Sequence, residues 1–263
     1  MSTMSHALTD SATMLRRNLR RMVRYPSMTL QLIGMPIVFL LLFVYVFGGT
    51  LGAGIGGVTG GRAEYVNYVT PAIILMTITA AIQGTTISIA MDMTEGIVDR
   101  FRTMAIARVS VLTGHVIGSL IQTMLSIAAV LGVALLIGFR PSAGPGDWLA
   151  LAGVLVMMAF AFIWLAVALG LASKSVESSS NVGLPLVLLP FLGSGFVPTD
   201  SMPTVLRWFA EYQPFTPLIE TLRGLLMGTP IGNSAAIAVG WCLVIGLGGY
   251  LWSKRLFNRE STR

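Results

Sequence analysis

The sequence has only two lysines, and their neighbours exclude a phosphate-binding loop. Such a loop needs the pattern G-x-x-x-x-G-K-[ST], in which backbone N–H groups cradle the phosphates and the lysine neutralises them. Lys174 follows Ser173 and Lys254 follows Ser253, so neither has the required glycine. Any ATP hydrolysis that serves this chain must come from another polypeptide. Cysteine occurs once, as Cys242, so no intrachain disulfide can form, and a lone Cys in an apolar run is a packing residue. Of the two histidines, His6 lies in the N-terminal segment and His115, at the end of the third run, has no Cys, Asp or Glu at metal-ligand spacing beside it, so no metal site is expected. Charge is also scarce: 11% of the 263 residues are charged and 54% are hydrophobic. With a mean hydropathy of +0.79, the chain has more apolar surface than one soluble core could hide, and lipid is the solvent that fits.

Crossing ~30 Å of hydrocarbon takes roughly 20 apolar residues in a helix. Six runs free of Asp, Glu, Lys and Arg approach or exceed that length: Thr29–Phe47, Tyr68–Met91, Leu112–Phe139, Trp148–Ala172, Val182–Val197 and Ala235–Trp252. The fifth is shorter and contains Pro185 and Pro190, so it spans only if bent or completed by the residues after it. The glycine-rich stretch Gly48–Gly61 is expected to be a loop, since glycine disfavours a helix interior. The expected fold is an all-α membrane protein, one transmembrane domain over residues 1–263 with six spanning helices. Five arginines precede the first run and no A-x-A-like site closes it, so a cleavable signal peptide is not expected.

If the N-terminus is cytoplasmic, the segments 1–28, 92–111, 173–181 and 253–263 lie inside, and they hold 13 of the 17 Lys and Arg residues. That bias predicts both termini in the cytoplasm. It also accounts for a pI near 10.0 through topology and anionic lipid, without nucleic acid.

Three segments are neither spans nor plain loops. In residues 7–25, Leu8, Ala12, Leu15, Leu19 and Met22 recur at helical spacing, while Arg16, Arg17, Arg20, Arg21 and Arg24 fill much of the rest. This predicts a basic amphipathic helix on the inner membrane surface, the alternative being a topology signal alone. In residues 92–108, Ile97, Phe101, Met104 and Ala105 share one helical face, and Asp99, Arg100 and Arg102 are free to meet a soluble partner. A docking loop and a tight connection both look like this. In residues 198–228, Val205, Trp208, Phe209 and Tyr212 line one face of a short helix, with Arg207 and Glu211 paired at i, i+4 on another. A second short helix carries Glu220 and Arg223 at i, i+3, a structural pair rather than a substrate site. Together they predict a partly inserted, re-entrant hairpin on the outer side.

The spans offer little for chemistry. Their central parts hold no charge, which counts against a proton-coupled carrier but not against sodium sites built from hydroxyl and carbonyl oxygens. A serine nucleophile in Gly193-Ser194-Gly195 has no base in reach, because the span histidine His115 falls at the opposite membrane side. No catalytic residue is expected. What the spans do hold is uncharged polarity: Thr79, Gln83 and Thr86 on the second, and Ser119, Gln122, Thr123 and Ser126 on the third. Such stripes either bond neighbouring helices or line a path.

The order of these segments, with Glu95-Gly96, Arg100-Phe101-Arg102-Thr103-Met104, Ile106-Ala107-Arg108 and Gly114 in and after the loop, resembles the type-2 ABC exporter permeases. Gly195-Phe196-Val197-Pro198, Met202-Pro203, Gln213-Pro214 and Pro217 add to the likeness, which is strongest to the actinobacterial daunorubicin/doxorubicin-resistance group. One departure is Ala105, where that family commonly has proline. The resemblance implies that Glu95, Gly96, Asp99, Arg100, Phe101, Arg102 and Met104 form a coupling helix docking on a separate ATPase. It implies two ATPase chains holding ATP and Mg, a second permease chain in a homodimer, and no cofactor on this chain. It further implies a bacterial cell membrane location and outward transport of an amphiphilic drug or lipid-like substrate beside the first, second and fifth spans, past Thr79, Gln83 and Thr86. A self-sufficient ion-coupled carrier and a non-transport membrane scaffold are the competing readings.

Overall fold

The computed structural model describes residues 26–56, 61–94, 108–173 and 175–259. The basic segment 7–25 and the loop residues 95–107 lie outside the described residues. Every regular element among the described residues is helical.

The first span begins as α1 (Pro26–Leu42), passes through a π-helical turn (Phe43–Phe47) and continues as α2 (Gly48–Gly56). The expected glycine loop is therefore corrected: its first nine residues are helix. Close packing overrides propensity here. A Cβ on Gly52 would collide with the backbone of Gly61, and one on Gly48 would press on Arg62. Glycine lets α2 lie flat against the start of the next helix.

Helix α3 (Arg62–Thr94) has 33 residues, about 50 Å at 1.5 Å per residue, and overreaches the hydrocarbon at both ends. Helix α4 (Arg108–Leu136) returns outward and stops where Gly138 takes φ +112°, a left-handed conformation open to glycine. Helix α5 (Pro145–Ala172) starts with proline in its first turn, and the Asp147 carboxylate accepts the Gly144 N–H at 2.9 Å.

The fifth span differs from its expected bounds. Helix α6 runs Val176–Leu188 and tightens into a 3-10 turn over Leu189–Leu192. It starts earlier than the apolar run because the Ser175 hydroxyl caps it, accepting the Ser178 N–H at 3.1 Å. It stops earlier at Pro190 and the Gly193 turn. Thirteen α-helical and four 3-10 residues give about 27 Å, close to a bilayer core. After a short 3-10 turn (Thr199–Ser201) come α7 (Thr204–Tyr212), α8 (Phe215–Met227) and the final span α9 (Ser234–Arg259). Among the described residues, five helical stretches are long and apolar enough to cross a membrane, and Val176–Leu192 is a shorter apolar helix.

Helices α3 and α5 form the centre. The most apolar stretch of α3 is 72% buried, against 17% for that of α9. The helices at the periphery, α1, α4 and α9, expose residues such as Val46, Leu136 and Leu247, which suits lipid as the surrounding solvent. The main core joins Leu40, Tyr65, Ile73, Ile82, Phe162, Phe215 and Leu222. A second, smaller core, near the end where α3 hands over to α4, joins Ile89, Val116, Ile163, Val167, Leu171 and Phe257. The α5–α9 contact is the most extensive. It depends on Gly246 against Ala161 and on Gly249, whose Cβ would come within 2.7 Å of the Leu165 nitrogen.

Candidate functional site

Among the described residues, three polar groupings lie along the bundle, taken here from the end that carries the junction of α3 and α4. The coupling residues expected from the sequence, Glu95, Gly96, Asp99, Arg100, Phe101, Arg102 and Met104, lie outside the described residues. The helices that deliver them are described: α3 leaves at Thr94 and α4 begins at Arg108. Just inside this base, His115 Nε2 lies 3.0 Å from Asp92 Oδ2, with both side chains almost fully buried. A carboxylate only accepts, so the imidazole proton sits on Nε2 and is donated to Asp92. Two helical turns further out on α3, Thr85 Oγ1 donates to Ser119 Oγ of α4 at 3.0 Å.

Mid-bundle, the stripe Thr79, Gln83 and Thr86 is divided between partners. Thr79 is fully buried, and its hydroxyl donates to the Met76 carbonyl of its own helix. Thr86, also fully buried, donates across to the Ala166 carbonyl of α5 at 3.3 Å. Gln83 is half-buried and reaches the Ser180 carbonyl of α6 at 3.5 Å, where Gly183 gives it room. On α4, Thr123 and Ser126 bond back to the carbonyls of Ser119 and Gln122.

At the opposite end of α3, Glu220 and Arg223 of α8 meet the turn after α6. One carboxylate oxygen, Glu220 Oε1, accepts from Arg223 Nη1 and from Ser194 Oγ, each at 2.6 Å. Arg223 Nη2 also donates to the Ser194 carbonyl at 2.9 Å and to the Tyr68 carbonyl at 3.3 Å. The guanidinium stands 4.0 Å from the Tyr68 ring centroid, and the Tyr68 hydroxyl donates to the Ser194 carbonyl at 2.7 Å. Tyr68 lies about 36 Å along α3 from Asp92, a little more than a ~30 Å hydrocarbon core, so the two clusters stand at opposite ends of the span. A charge there is hydrated cheaply, and a mid-membrane one would not be. Close by, Gln213 is buried with neither end of its amide hydrogen-bonded.

The two short helices behave differently. Helix α8 is built into the core through Phe215, Leu218, Ile219, Leu222 and Leu226. Helix α7 exposes Val205, Trp208, Phe209 and Tyr212, while Arg207 pairs with Asp200 at 2.6 Å and Glu211 at 2.8 Å. The Glu211 hydrogen bond and the two carboxylate charges raise the Arg207 pKa above its ordinary value, so it stays charged.

Sequence spacing could not reveal Ser194 or Tyr68, which lie 26 and 155 residues from their partners in this cluster. The Asp92–His115 contact was missed too, although a signal existed: polar residues near the facing ends of two consecutive antiparallel spans. No group of three or more metal-ligating residues occurs among the described residues.

Comparison with known proteins agrees with this arrangement. The chain is 27% identical over 228 residues to the daunorubicin resistance ABC transporter permease protein DrrB1 of Streptomyces coeruleorubidus, covering 85% of this chain and 77% of that one. It is 27% identical over 160 residues to the probable doxorubicin resistance ABC transporter permease protein DrrC of Mycobacterium tuberculosis, covering 60% of this chain and 58% of that one. The model of the ABC-2 type transporter family matches residues 10–227, which takes in every span but the last, and the chain belongs to that family.

Proposed function

We propose that this chain is the permease subunit of an ATP-driven exporter that moves an amphiphilic drug or lipid-like molecule outward. The observation that carries it is the family match over residues 10–227, on a chain with no nucleotide-binding loop. The relatives are named for resistance to daunorubicin and doxorubicin, which supports a drug as the substrate. Two ABC ATPase chains hold ATP and Mg, and a second copy of this chain completes the path. Residues 95–104 dock on the ATPase, the basic segment 7–25 lies along the inner leaflet, and both termini are cytoplasmic in a bacterial cell membrane. Helices α7 and α8 form the re-entrant hairpin. The exposed apolar side of α7 faces lipid, and its Asp200–Arg207–Glu211 ion pairs face water.

In this mechanism ATP closes the ATPase pair, the docked loop carries the motion, and α3 and its neighbours re-orient from inward-open to outward-open. Thr79, Gln83 and Thr86 mark the helix beside the substrate path. The test is charge reversal in the loop. Arg100→Glu and Glu95→Lys should insert normally and lose ATPase association in co-purification. Normal association and efflux in both variants would contradict the reading.

A further inference from the structure

Helix α4 contributes Val116 to the smaller core, with Leu112 and Leu120 packed against it. It lies at the periphery of the bundle, and only 28% of its most apolar stretch is buried, against 72% for α3. The inner end of α3 is anchored differently. Gly170 of α5 lies so close that a Cβ there would stand 2.9 Å from the Thr86 carbonyl and from Ile89, and Thr86 bonds to Ala166. Helix α5 is in turn packed along α9, and Phe257 of α9 shares the inner core with Ile89 and Val116. The inner half of α3 thus packs into one block with α5 and α9, and the polar contacts that join α4 to it include Asp92–His115 and Thr85–Ser119. The first of these sits at the base of residues 95–107 and is almost dry, with side-chain exposures of 3% for Asp92 and 6% for His115. In such a setting a hydrogen bond between ionisable side chains is strong and directional.

We propose that Asp92 and His115 are positioning residues that clamp the two arms of the ATPase-docking loop into one body. A push on the loop then moves α3 and α4 together and reaches the α5–α9 block, and is not absorbed by a hinge between the arms. Apolar contact is non-directional, so Val116, Leu112 and Leu120 alone set no fixed register of α4 along α3, whereas the hydrogen bond does. The proposal rests on the reading of residues 95–104 as the docking loop.

The test uses the full complex, permease with its ATPase, in inside-out vesicles, with doxorubicin as the fluorescent probe. Asp92→Asn and His115→Gln should cut probe uptake per ATP hydrolysed about tenfold, while co-purification of the ATPase and its basal hydrolysis stay near the parent's. The swapped pair, Asp92→His with His115→Asp, should recover most of the lost coupling. So should Asp92→Cys with His115→Cys in a Cys242→Ser background once a short bis-methanethiosulfonate joins the two thiols through mixed disulfides, releasing methanesulfinate, and reduction of those disulfides should abolish the recovery. A merely structural role would lower assembly and hydrolysis together and would not respond to the bridge. Parent-level coupling in Asp92→Asn, or an assembled complex that neither swap nor bridge restores, overturns the clamp. Arg100→Glu separates the two readings: if it leaves association and uptake intact, the docking loop and the clamp both fall. If it uncouples while Asp92→Asn does not, the clamp alone falls.

Discussion

Arg223 carries more of the outer cluster than Glu220 does. Its side chain is 13% exposed and serves Glu220, two backbone carbonyls and the Tyr68 ring, whereas Glu220 is 38% exposed and keeps a hydroxyl partner in Ser194. Removing the buried cation strands carbonyls at the junction of α3 and the Gly193 turn, at a cost of about 2 kcal/mol. Neutralising the wetter carboxylate costs about 1 kcal/mol or less. Arg223→Met should therefore lower the melting temperature of the detergent-purified protein more than Glu220→Gln does; the reverse order would refute this assignment of roles. The Glu220–Arg223 pair was readable from i, i+3 spacing because one helix places both. Ser194 and Tyr68 were not, since only the packing of α3 against the turn after α6 brings them to α8.

At the scale of elements, glycine does two different things, and neither is visible in a propensity. In Gly48–Gly56 a run that reads as loop is helical, because contact with Gly61 and Arg62 rewards a surface without side chains. In α9, Gly249 lies against backbone atoms of Trp164 and Leu165, while Gly248, one residue earlier, has nothing within 4 Å of a built Cβ. Gly249→Ala must push α9 off α5 and should destabilise the protein by about 1–3 kcal/mol. Gly248→Ala should be neutral or slightly stabilising through helix propensity. Thermal unfolding of the two variants checks this, and equal melting temperatures would contradict the α5–α9 packing. The long spans were legible from uncharged length alone, since lipid demands that pattern. The fifth was legible in kind but not in bounds: its Ser175 cap and 3-10 finish depend on local hydrogen bonds that hydropathy does not register.

For the whole molecule, the account needs a sided membrane protein driven from the cytoplasm. In a Cys242→Ser background, Ser201→Cys on the outer turn should react with a membrane-impermeant thiol reagent in intact cells, and Ser261→Cys near the C-terminus only after permeabilisation. Labelling of Ser261→Cys from outside would overturn the topology that the Lys and Arg bias predicts. The energy source was legible as an absence, because two lysines without glycine context leave no place for a phosphate loop. The substrate was not legible, because lipid-facing Leu, Val and Phe side chains report the solvent and not the cargo. The most direct measurement is doxorubicin uptake into inside-out vesicles holding this chain alone, or this chain with its ABC ATPase, with and without ATP. The account predicts uptake only when chain, ATPase and ATP are present together. Uptake by this chain alone under an ion gradient, with no response to ATPase and ATP, would contradict it.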